Sequence, residues 1–152
     1  MAYGTAQARR QLLDDVGAAA DEIAIALAAL GEAYEQLDEH SADRLEQELF
    51  RPVQHAYGRA KRTHAEFAAR HGLPARAFRR AAPRGAPAGV KELLDRAVEA
   101  VADADEALAT LQDSMRPVEV GDAPLRAGLA EVRRLLGDVA GRARRFVSVL
   151  GR

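Results

Sequence analysis

VKELLDRAVEAVADADEALATLQDSM, from Val90 to Met115, is the stretch whose periodicity decides the fold class. Its apolar residues fall at Val90, Leu94, Ala97, Val101, Ala104, Leu108, Leu111 and Met115, alternately four and three apart. That spacing draws one apolar stripe along an α-helix, with Glu99, Asp103 and Glu106 on the opposite, water-facing side. Pro117 then stops the pattern.

The same rhythm extends outward in both directions. Downstream it runs through Leu125, Leu129, Val132, Leu136, Val139, Ala143, Phe146 and Leu150, with Asp122 as the expected N-cap and Pro124 in the first turn. At the start of the chain it runs through Leu12, Val16, Ala19, Ile23, Ala26, Leu30, Ala33 and Leu37, with Thr5 as the expected cap. A second helix is expected after Ser41, where Asp43 and Glu46 resemble a capping box. Its stripe is Phe50, Val53, Tyr57, Ala60, His64, Phe67 and His71, stopped by Gly72 and Pro74. Pro52 lies inside that pattern and opposes the carbonyl of Glu48, which predicts a kink or break near Phe50.

Four such helices are each roughly 40–50 Å long at 1.5 Å per residue, and none buries its stripe alone. The expected fold is all-α: one domain over 1–152, an antiparallel up-down-up-down four-helix bundle with helices at 5–39, 42–71, 89–115 and 122–150. A long Arg/Pro/Gly-rich loop, 72–88, links helices 2 and 3.

Composition narrows the function more than it names it. The chain has 152 residues, a net charge of −1 and no cysteine, which removes disulfides, thiolate metal sites and cysteine catalysis. The N-terminus has no apolar run after its arginines, and acids interrupt the most apolar window, Val16 to Ala33, so we expect neither a secretory signal nor a membrane span, and a cytoplasmic location. Arginine supplies 20 of the 22 basic residues. A GC-rich coding bias toward Ala, Arg, Gly and Leu accounts for this more simply than phosphate recognition does.

Catalytic and metal constellations are scarce. His64 and His71 share a face but stand roughly 10 Å apart along the axis, too far for one metal with ligands about 2 Å from it. No histidine has a Glu three residues before it, so the di-iron bundle motif is missing, as are HExxH, GxSxG, the P-loop and GxGxxG. We expect no enzyme activity, no cofactor and no metal, although a metal- or ligand-binding bundle using His64, His71 and Tyr57 stays open as an alternative.

Two surpluses remain. Charge is segregated: −10 over Gln11–Glu48, +8 over Arg51–Arg84, −5 over Ala88–Met115 and +4 over Asp122–Arg152. Alternating signs are expected to select neighbouring helices of opposite charge. Arg76, Arg79, Arg80 and Arg84 surround Phe78 in the long loop without a local acid. They are the candidate grip for nucleic acid or another polyanion, while a mobile, charge-solvated connector is the simpler expectation. The second surplus is the nearly all-apolar middle of helix 1. Ala18, Ala24, Ile25 and Ala28 form a candidate interface for self-association or a helical protein partner. The functional expectation is therefore a non-enzymatic helical interaction module, with polyanion binding as its alternative.

Overall fold

The computed structural model describes residues 2–82 and 85–150, with side chains from residue 4 onward. Those residues are all-helical, with no strand. Helix α1 spans Ala2–Glu35; α2 (Glu39–Leu45), a π segment (Glu46–Phe50) and α3 (Arg51–Arg70) follow as one unbroken rod. Then come α4 (Val90–Asp113), the single turn α5 (Arg116–Glu119), α6 (Ala123–Leu136) and α7 (Val139–Leu150). The described residues of 71–89 carry no helix.

The expected stripes form the core. Leu12, Val16, Ile23 and Leu30 of α1, Leu94, Val101 and Leu108 of α4, and Leu125, Leu129, Val132 and Phe146 of α6 and α7 are all buried together with Val53 and Phe67 of α3. Asp122 caps α6 as expected, its carboxylate accepting from the Leu125 N–H at 2.9 Å. Gly72, at φ +65°, closes α3: the Leu73 N–H returns to the Ala68 carbonyl at 2.8 Å, and Leu73 packs on the core.

Several local expectations are corrected. Thr5 lies inside α1, which already starts at Ala2. Asp38, not Asp43, caps the second rod, accepting from the Ser41 N–H at 2.9 Å. Met115 leaves the α4 stripe: it adopts the left-handed conformation at φ 65° and is 50% exposed. Gly137 and Asp138 interrupt the last rod where one helix was expected, glycine being a weak helix former.

Pro52 does not split its helix, which continues without a break from Glu39 to Arg70. The π segment just before it widens the turn, as π-bulges do when a residue disturbs the i→i−4 ladder. The carbonyl of Glu48, which a proline at position 52 leaves without its ladder donor, accepts instead from the Arg142 guanidinium at 3.4 Å. The extra residue in the π turn also shifts the stripe. Leu45 and Leu49 are fully buried, whereas Phe50, the expected core residue, is only partly so.

The expected up-down-up-down order does not survive the end contacts. Gln36, just past α1, donates to the Ala88 carbonyl just ahead of α4 at 2.8 Å. At the other end, Arg9 donates to the Val120 carbonyl at 3.0 Å, and Arg116 pairs with Asp15 at 3.0 Å. So α4 runs opposite to α1. The α2–α3 rod also runs opposite to α1, because Arg70 at its end reaches Asp122, two residues from Val120. The rods therefore read up-down-down-up. The 71–89 segment is a crossover that travels back along α1, and its length allows this at up to ~3.3 Å per residue.

The charge expectation fails for a related reason. The most extensive helix pair is α1 with α4, the two acidic helices. Ala19, Ala26, Ala29 and Ala33 on one side and Ala97, Ala100 and Ala104 on the other are all buried. Small residues bring the two backbones close, and this packing outweighs the repulsion of solvated acids that point to water.

Close approach recurs between α3 and α6 at Gly128. A Cβ placed there would lie 2.9 Å from the Cβ of Thr63 and 2.7 Å from its Cγ2. Thr63 is buried and β-branched, so it has little freedom to retreat. Gly128→Ala is expected to destabilise the protein by about 1–3 kcal/mol, as overpacking does. Thermal unfolding should show a lowered Tm, and adding Thr63→Ala should recover most of the loss.

Candidate functional site

The crossover is seated on the side of α1 that the sequence left apolar. Three partly buried side chains attach it to the core: Leu73, Phe78 and Ala88. Between them, Arg76 lies flat against α1. One of its Nη atoms is 2.7 Å from both carboxylate oxygens of Asp21, and its guanidinium stacks over the Phe78 ring at 4.5 Å. Gly17 provides the space: a Cβ at that position would meet the Arg76 Nη1 at 2.6 Å and the His64 ring at 3.7 Å. Arg96 ties down the far end by donating to the Ala86 carbonyl at 3.2 Å.

Beneath the crossover sits His64. It is 2% exposed, and its Nδ1 has no hydrogen-bond partner among the described residues. Phe78 meets it edge to face, with ring centroids 5.1 Å apart. Burial lowers the His64 pKa below its ordinary value, and the Arg76 guanidinium lowers it further; Asp14 and Asp21 act the other way. The imidazole is therefore neutral at pH 7. His71 belongs to a separate cluster, with its Nε2 2.9 Å from Asp122, which also takes two bonds from Arg70 at 2.8 and 2.9 Å. Arg70 above all holds the Asp122 carboxyl far below the usual carboxylate range, and the Leu125 N–H adds to this. Asp122 is thereby a permanently charged staple between the end of α3 and the start of α6.

The expected site residues distribute unevenly. Of the four loop arginines, Arg76 is occupied by Asp21, Arg79 and Arg80 are exposed, and Arg84 lies outside the described residues. Of the α1 candidates, Ala24 is 5% exposed, Ile25 and Ala28 are half-buried, and Ala18 is exposed. Ala24 and Ala28 line one cavity, while Ala18 lines a shallow depression on the α4 side. The four therefore do not form a single patch. His64 and Tyr57 share a neighbourhood with Arg76 and Asp21, and burial raises the Tyr57 pKa. His71 does not join them. Among the described residues no group of three His, Asp or Glu side chains is placed to hold a metal ion.

The cavity that Ala24 and Ala28 line is a groove of about 680 Å³. Its α1 wall continues through Leu27, Gly31, Glu32 and Glu35. The opposite wall is Phe50, Gln54, Tyr57, Gly58 and Lys61, and the crossover closes one side with Phe78, Arg80 and Ala81. Lys61 stands over the Tyr57 ring at 4.3 Å. Sequence reasoning missed this groove because Phe50 was placed in the core and the crossover in solvent. The unused apolar face of α1 was the one signal that pointed to it.

His64 gives the seat a pH dependence. A histidine whose folded pKa lies below 6.5 favours the folded state fully above that value, because the unfolded chain takes up the proton first as pH falls. Stability is then lost as pH drops from about 6.5 toward the folded pKa. Tm measured between pH 7.5 and 5.5 should fall in the wild type and fall less in His64→Gln, and equal slopes would remove His64 from the account. No protein-family model, no curated protein and no solved structure matches this chain, so its own residues carry the functional reading.

Proposed function

We propose that this chain is a non-enzymatic helical binding module and that the groove between α1, α3 and the crossover is its working surface. In this reading the scaffold is a four-helix bundle whose rods are α1, α2 with α3, α4, and α6 with α7. The observation that carries it is the groove itself. Much of the apolar face of α1 is covered by α3, α4 or the crossover, yet here Ala28, Leu27 and Gly31 line an open groove. At about 680 Å³, with aromatic side chains from Phe50, Tyr57 and Phe78 and charged groups at its ends, it has the size and character of a site for a compact ligand. It is also long enough to take the side chains of a partner helix.

The neutral dye N-phenyl-1-naphthylamine tests this surface. It is expected to bind with enhanced fluorescence. Ala28→Trp, which fills the groove from an open position, should abolish that binding while leaving the Tm of the protein in place. Undiminished binding in Ala28→Trp would place the apolar surface elsewhere.

A second reading rests on Arg79 and Arg80, which are exposed and have no acidic partner among the described residues. They form the candidate contact for nucleic acid or another polyanion. With Arg76 held by Asp21, only a short cationic edge is left. Binding of single-stranded DNA should then show a shallow salt slope, of order one to two released counterions. A steep slope would favour a larger basic surface, and no binding at low salt would end this reading.

A further inference from the structure

We infer that the groove takes a small organic monoanion with an apolar body, its acidic head held between Lys61 and Arg80 at one end. This inference rests on the groove being a binding surface and adds the chemistry of what it binds.

Lys61 and Arg80 both line the groove, from α3 and from the crossover. Neither has a carboxylate partner among the described residues, although other arginines of the chain are paired: Arg76 with Asp21, Arg116 with Asp15 and Arg133 with Asp105. Lys61 is steadied by the Tyr57 ring at 4.3 Å, which positions its ammonium on the groove wall without neutralising it. A carboxylate or sulfonate placed there would gain a charge-assisted bond from each cation.

The register of the helices separates the charges along the groove. Gly17 faces His64, and α1 runs opposite to α3. Lys61, less than one turn before His64, therefore lies toward the Gly17 end, and so does Arg80, two residues beyond the Phe78 that meets the His64 ring. Glu32 and Glu35 lie roughly 15–20 Å further along α1, beside Phe50 and Gln54. The far end also receives the negative pole of α1, whose C-terminus is Glu35. One end attracts an anion and the other repels it. That polarity excludes a phosphodiester chain lying along the groove and admits a ligand with a single acidic head. Between the ends, Ala24, Leu27, Ala28, Phe78 and the ring of Tyr57 offer apolar and aromatic surface for its body.

A matched pair of dyes isolates the charge. 1-Anilinonaphthalene-8-sulfonate carries the same ring skeleton as N-phenyl-1-naphthylamine with one sulfonate added. Fluorescence titration of the full chain at pH 7.5 and low salt is expected to show one sulfonate dye per chain, bound about tenfold or more tightly than the neutral dye. Lys61→Gln with Arg80→Gln should bring the sulfonate dye down to the affinity of the neutral one and leave the neutral one unchanged. Arg80→Gln alone, on the exposed crossover, should show part of that loss with circular dichroism unaltered. Equal affinities in the wild type, or a sulfonate dye indifferent to the double variant, overturn the inference. If both dyes bind equally and Ala28→Trp removes both, the groove remains a binding surface and only the anion assignment falls. If neither dye binds, both fall together.

Discussion

The close packing of α4 along α1 is the constraint on which the rest of this structure depends. Alanines on both helices let the backbones approach, and the direction of approach places the start of α4 beside the end of α1. The α2–α3 rod already ends at the opposite pole, next to Asp122. The chain must therefore return along the length of α1 before α4 begins. A tight turn could not make that journey, so the connection is long, rich in glycine and proline, and laid on the bundle surface. Its arginines follow from the same necessity, since a strap over an acidic helix is favoured by positive charge.

What holds the strap is mainly apolar contact. The Arg76–Asp21 pair is close to half exposed on both sides, and a pair in that setting contributes about 0–1 kcal/mol. It fixes where the strap lies more than how firmly it lies there. Phe78 contributes more, because its ring covers His64 and completes the enclosure of a polar side chain that has no partner for its Nδ1 among the described residues. A neutral imidazole tolerates that setting and an imidazolium beside a guanidinium does not. The seat thus depends on the protonation state of His64, which is buried where His71, the other histidine of its stripe, is only partly so.

Much of this was legible in the residues. The stripes of α1, α4 and the last rod were read correctly almost throughout, since a four-and-three rhythm of apolar side chains has one favourable burial. Asp122 and Gly72 were equally plain, because a cap or a left-handed closing residue is a local event. The failures came where local rules compete with long-range ones. Pro52 was expected to kink or break its helix near Phe50, and the irregularity there is a π turn that leaves the helix continuous and Phe50 only partly buried, with Leu49 in the core. Met115 kept the rhythm of α4 and left its helix all the same, where the chain turns into α5. Alternating net charge suggested which helices should touch. Solvated acids on outer faces are screened, however, whereas methyl groups between helices are in direct contact, and the acidic pair packed most closely. Topology was beyond reach for a similar reason: loop length permits a crossover without requiring one.

The groove follows from three of these local outcomes acting together. The π turn brings Phe50 to its upper wall. Small side chains on α1 leave its floor shallow and wide where bulkier ones would have filled it. The strap contributes Phe78, Arg80 and Ala81 to the lining and leaves the groove open. Remove any one and the space closes or becomes open surface. Larger residues at Ala24, Ala28 or Gly31 would have sealed it at little cost in helix propensity. In the proposed reading the open space matters because Lys61 and Arg80 line it, neither with a carboxylate partner among the described residues: packing that stops short of a filled core leaves room and charge for a ligand.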